Sequence, residues 1–278
     1  LLLQGVAASQ PNVEDLELAI APREIGLWEA FLHLATTYDG RYITNFLHGF
    51  NPLVLNYVKG YKLMILFALS LFYCASYLFV KTWFDCNNLK QALLFSGFFV
   101  AVIFLFNPTL PHSLYWMGSS FVYFYPCIFF LFFLTLVKKY LSSSKKQQPI
   151  YFVCTALTLI IAMGFSELFL PFYLIFSLIG FFYFLKFDLD KLKLFIPIIL
   201  VVVMLEIFTF STPALLFRFE GEAVGAHIDP SIFVLALKNY FNVLIASIFS
   251  IPFLFAVTAS FFLFQFRTVR LKFKMNKR

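Results

Sequence analysis

Charge is what this sequence lacks most. Only 13% of its 278 residues are Asp, Glu, Lys or Arg, while 62% are hydrophobic; soluble domains carry about 25% charged and roughly 45–50% apolar residues. So little charge cannot cover a water-solvated surface, which excludes a soluble globular protein, and so much hydrophobicity excludes intrinsic disorder. Cysteine is scarce as well. Cys74, Cys127 and Cys154 sit inside apolar runs and Cys86 in a short loop, so neither a disulfide framework nor a metal knuckle is implied. Walker loops, HExxH, GxSxG and Rossmann glycine patterns are all missing, which leaves ATP-driven transport and zinc proteolysis of those types without support. There is no internal repeat and no low-complexity tract.

Phenylalanine is in excess. Its 42 residues outnumber what aromatic belts at two membrane interfaces need, so many must face lipid or fill a bundle interior. Crossing a hydrocarbon core of about 30 Å takes roughly 17–25 apolar residues. Seven runs qualify, near 61–80, 91–107, 119–137, 149–165, 168–185, 193–211 and 240–265. They are continuously apolar rather than alternating, which argues against a strand barrel. The fold expected is an all-α, polytopic transmembrane helix bundle over residues 61–265, with about seven spans. Residues 1–60 form a first segment and 266–278 a basic tail. The opening LLLQGVAASQ reads like the end of something longer, which predicts one more helix upstream.

The net charge of +7 does not point to nucleic acid, because the cations sit in short clusters between apolar runs. With the tail inside, alternation places 81–90, 138–148 and 186–193 inside too, and fifteen of the 21 Lys and Arg then lie on that side, as the positive-inside rule requires. Eleven of the 14 acids fall on the other side. Acids contribute little to topology, so their gathering predicts chemistry at the outer face.

Residues 1–60 are more than a loop. Ile25, Trp28, Phe31, Leu32 and Ala35 recur at helical spacing, and Tyr42, Ile43, Phe46, Leu47 and Phe50 repeat the pattern. Each stretch is amphipathic and is expected to lie in the interface plane, with Gly40 permitting a sharp turn between them.

Several constellations could carry chemistry. Glu14-Asp15, with Glu17, are adjacent carboxylates that can act as a base or hold a divalent cation; they equally suit the first turn of a helix starting near Pro11, where acids complement the dipole. Asp39 and Arg41 are a turn ion pair or a site for a sugar hydroxyl or phosphate. His112, Tyr115 and Trp116 share an outer loop, where aromatic residues anchor at the interface or stack on sugars. Glu167 lies in a tight outer turn. Glu206 sits inside an apolar run, where an ionisable group is expensive and calls for a partner; Arg218, in the last outer loop, is the partner that sequence offers. An Arg there can also hold a phosphate bidentately.

Together these features resemble the GT-C class of membrane glycosyltransferases, and more closely a bacterial polytopic family of GT-C-like proteins. The resemblance rests on Glu14-Asp15, on Gly40-Arg41, on a loop with Trp116, Gly118, Ser119 and Tyr123, on Glu167, and on Pro213 followed by Arg218. The acidic pair is Glu-Asp rather than two Asp, and Ala214-Leu215 follow Pro213 where Gly-Asn is the pattern. The resemblance implies an enzyme of the bacterial cytoplasmic membrane, active at its outer face. A polyprenyl-phosphate-linked sugar would enter sideways with its tail in a Phe-lined groove. Asp15, assisted by Glu14, would take the proton of a glycan, lipid or protein acceptor, with inversion at the anomeric carbon. Arg218, with His112 or a divalent cation, would steady the leaving phosphate, and Asp39, Arg41, Trp116 and Glu167 would contact substrate. The competing reading is a secondary transporter or lipid flippase using Glu167 and Glu206.

Overall fold

The computed structural model describes residues 2–37, 41–86, 88–106, 114–166 and 169–210, and the packing set out below belongs to one compact unit. Among these residues there are helices and no strands. The first segment holds α1 (Leu2–Ala8), α2 (Val13–Ile25), α3 (Leu27–Thr37) and α4 (Tyr42–His48), and a 3-10 turn over Pro52–Leu55 leads onward. Then come α5 (Val58–Trp83), α6 (Leu89–Phe106), α7 (Met117–Ser142), α8 (Gln148–Phe165), α9 (Leu170–Phe187) and α10 (Leu192–Phe210). Helices occupy six of the seven expected apolar runs. The seventh, 240–265, and the basic tail lie outside the described residues.

Three helices, α5, α7 and α8, are long and apolar enough to cross a membrane, which fits an integral membrane protein. The apolar stretches of α6 and α9 are shorter, and α10 carries Pro197 in its interior, which removes a backbone donor.

Small residues let the first two spans meet. α5 buries Ile65, Ala68, Phe72 and Ala75 along one helical stripe, and the alanines allow α7 close, as membrane helix interfaces favour. The Phe72 and Phe124 rings then lie 5.0 Å apart. A second core joins α7 to α10 through Phe133, Leu159, Tyr173, Phe195 and Val202, with Phe133 edge-on to Tyr173 at 5.0 Å, a favoured aromatic geometry. Other phenylalanines face outward; Phe98 and Phe182 are more than half exposed. The excess of Phe therefore both fills the interior and lines the exterior. At one end of the bundle, Lys138 Nζ lies 5.7 Å from the Trp83 ring and Trp83 Nε1 donates to the Leu134 carbonyl at 3.1 Å. Trp and Lys at one level are typical of a membrane–water boundary.

Two features fix the first segment. α2 is closed at its start by a reciprocal capping box: Asp15 N donates to Asn12 Oδ1 at 2.7 Å and Asn12 N donates to Asp15 Oδ2 at 3.2 Å. It ends at Gly26, whose φ of 86° and ψ of 161° belong to a region essentially restricted to glycine, so α3 can start one residue later in a new direction. α4 in turn lies on α8. Thr44 Oγ1 donates to the Phe165 carbonyl at 2.9 Å, and the Tyr42 hydroxyl donates to the Ile160 carbonyl. The contact needs Gly164, because a Cβ there would collide with Tyr42 and Ile43. Gly164→Ala is therefore expected to cost roughly 1–3 kcal/mol, as overpacking does. Thermal unfolding in detergent would measure it, and combining it with Tyr42→Ala should give less than the sum of the two losses.

Candidate functional site

The first segment meets the starts of α5 and α7 in a buried polar cluster. α4 is amphipathic as expected, but its polar side faces inward: Thr44, Asn45 and His48 are buried, as is Asn51 beyond its end, whereas Phe46 and Phe50 are 37% and 54% exposed. A surface helix of a soluble protein does the reverse. An inward polar face packed against apolar spans gathers buried polar groups in one place.

Asp15 is the centre of this cluster and only 1% exposed. Its Oδ1 accepts the Gly118 N–H at 2.8 Å. Its Oδ2 lies 2.8 Å from the Tyr61 hydroxyl and accepts the Asn12 N–H. Asn51 Nδ2 donates to the Asp15 main-chain carbonyl at 3.2 Å. Tyr61 is itself a hub: its single proton is shared between the carboxylate and the Tyr115 carbonyl, 2.7 Å away, and its oxygen accepts the Met117 N–H at 3.3 Å. Residues from α2, α5 and the start of α7 are thus joined through one carboxylate.

Glu14 shares the place but not the environment. It is exposed, yet a Cβ on Gly118 would stand 4.0 Å from its Cδ and 3.5 Å from Asp15 Oδ1. The two carboxylates are neighbours at the head of α7, one enclosed and one open. A π-type turn follows at Ser120–Phe124, a rare geometry that is frequent at functional sites.

The shell of N–H and O–H donors around Asp15 is the wrong chemistry for a cation, which needs oxygen or nitrogen lone pairs. Among the described residues no group of three or more His, Cys, Asp or Glu could hold a metal. Asp15, enclosed by donors, is therefore not placed to hold a divalent cation in this arrangement.

His48 is buried with its ring 5.4 Å from Phe121, and among the described residues Nδ1 has no hydrogen-bond partner. Burial, reinforced by the nearby Arg41 charge, pushes its pKa from 6.5 down to about 4. The folded state therefore loses this proton before the unfolded state does. Its contribution to stability is complete above pH 6.5 and disappears as the pH falls towards 4, at roughly 1.4 kcal/mol per pH unit. Unfolding midpoints between pH 7 and 4 should show this slope in the parent protein and a shallower one in His48→Phe.

Of the residues singled out by sequence, Glu14, Asp15 and Tyr115 come together, with Trp116 next to Tyr115 in the chain. Trp116 caps α7 in extended conformation and its carbonyl accepts the Ser120 N–H at 2.7 Å. Arg41 stands at the start of α4, close enough to His48 to act on its charge. Asp39, His112, Glu167 and Arg218 lie outside the described residues. Glu206 is half-buried near the end of α10, and the partner expected for it is Arg218. Asn12, Thr44, His48, Asn51 and Tyr61 were not foreseen; the legible signal was the polar stripe at 44, 48 and 51, spaced i, i+4, i+7. The chain matches no protein-family model, no curated protein and no solved structure.

Proposed function

We propose that the chain is a membrane glycosyltransferase that moves a sugar from a polyprenyl-phosphate donor to a glycan, lipid or protein acceptor at the outer face of a bacterial cytoplasmic membrane. The observation that carries this reading is the carboxylate pair at the head of α7: an enclosed Asp15 clad in donors beside an exposed Glu14. On this reading the bundle has about seven spans.

The acceptor hydroxyl oxygen forms a bond to the anomeric carbon from the face opposite the phosphate. The carbon–oxygen bond to phosphate breaks, its electron pair leaves with the phosphate, and the configuration inverts. The hydroxyl proton passes to a carboxylate, a contribution of about 10²–10⁴ in rate. That role, expected of Asp15, suits Glu14 better. Each Asp15 oxygen already accepts a hydrogen bond, so protonating it would disturb the contacts that join α2, α5 and α7. Asp15 is then the positioning residue that sets Glu14 against α7. Arg41 and Arg218 supply positive charge for the departing phosphate, and Asp39, His112, Trp116 and Glu167 contact donor or acceptor.

Reconstitution with a labelled polyprenyl-phosphate sugar tests this. Transfer to acceptor that persists after every ion gradient is dissipated supports the transferase. Movement of the lipid without formation of a new glycosidic bond, and dependent on a proton gradient, would instead assign Glu167 and Glu206 to a transporter or flippase.

A further inference from the structure

At the far end of α7 from Asp15 lies an open, shallow surface cavity of about 310 Å³, whose lining includes Tyr140, Lys145, Gln148, Phe152, Val153 and Lys193. Its walls differ in chemistry. Lys145 and Lys193 supply ammonium groups, Tyr140 and Gln148 supply hydrogen-bonding groups, and Phe152 and Val153 are apolar. Lys193 also bonds exposed Asp190 at 2.9 Å, so two cations stand against one carboxylate and the mouth keeps a positive charge. Such a site complements one singly charged phosphate diester. From the apolar wall, α8 presents Ile150, Val153 and Leu157, which are 64%, 53% and 54% exposed. Their i, i+3, i+7 spacing makes one stripe running from the cavity along a helix long and apolar enough to span a membrane. A free phosphate would use the cations and leave the stripe uncovered; a lipid uses both.

We propose that this cavity binds the phosphate headgroup of an anionic phospholipid, one acyl chain of which lies along Ile150, Val153 and Leu157. The lysine-rich loops 138–148 and 186–193 that frame it are those the charge pattern assigns to the cytoplasmic side, where anionic headgroups attract basic residues. The site is separate from the carboxylate pair and does not depend on the transferase reading.

Native mass spectrometry of the full chain, titrated with phosphatidylglycerol or with phosphatidylcholine of the same acyl chains, tests the proposal. Phosphatidylglycerol should be retained preferentially, and K145A/K193A should lower its retention roughly tenfold or more, since each cation near anionic headgroups contributes measurably. Lys90→Ala, which removes an exposed lysine that does not line the cavity, should change nothing, and K145R/K193R should restore binding. Equal retention of both lipids, undiminished binding in the double alanine variant, or full displacement by millimolar inorganic phosphate each overturns the proposal. The last of these would reduce the site to a phosphate pocket with no role for the stripe.

Discussion

Asp15→Ala is expected to loosen α2 from the bundle and to lower stability by several kcal/mol. The substitution strands the Gly118 N–H, the Asn12 N–H and part of the Tyr61 hydrogen bonding, and an unsatisfied buried donor costs about 1–3 kcal/mol. It also opens the capping box of α2, which contributes about 1 kcal/mol. Hydrogen exchange should quicken over α2, the first turn of α5 and the first turn of α7 together, because one carboxylate joins all three. Asp15→Asn should fall between, since it keeps one acceptor oxygen but points an amide N–H at a donor. Glu17→Ala, on an exposed position of the same helix, should stay within about 0.5 kcal/mol. Unchanged exchange in Asp15→Ala would mean that α2 is held by its other contacts and not by this carboxylate.

Why the sequence revealed the helices but not this joint follows from range. A span must match the thickness of a hydrocarbon core, so α5, α7 and α8 announce themselves as unbroken apolar runs. The helical repeat of α4 is equally local, and the outward Phe46 and Phe50 follow from it. Its inward polar face depends on what α8 and the π-type turn of α7 place opposite, and no local pattern carries that. Asp15 meets Gly118 across 103 positions, and Tyr61 hides at the edge of an apolar run where a tyrosine reads as an interface anchor. The difference between Glu14 and Asp15 is subtler still. Adjacent residues on a helix point about 100° apart, so one can be enclosed while the other is open, but only the packed partner decides which. The resemblance put the base at Asp15, and no local pattern could say that Asp15 is the enclosed one.

That asymmetry makes the sharpest functional expectation. Glu14→Gln should lower sugar transfer by about 10²–10⁴-fold while leaving the unfolding midpoint unchanged, because general-base catalysis contributes on that scale and Glu14 is exposed. Glutamine keeps the length and the polar contacts and loses only the capacity to accept a proton. Retention of the polyprenyl-phosphate donor should persist, so the loss should appear in kcat rather than in KM. Asp15→Asn should behave differently: a smaller loss of transfer, accompanied by loss of stability, as befits a residue acting through its neighbour. The opposite outcome, with Asp15→Asn inactive yet fully folded and Glu14→Gln active, would return the base to Asp15 and require its bond to Tyr61 to open during the reaction. Full activity in both variants would remove the acidic pair from the chemistry and with it the observation on which the transferase reading stands.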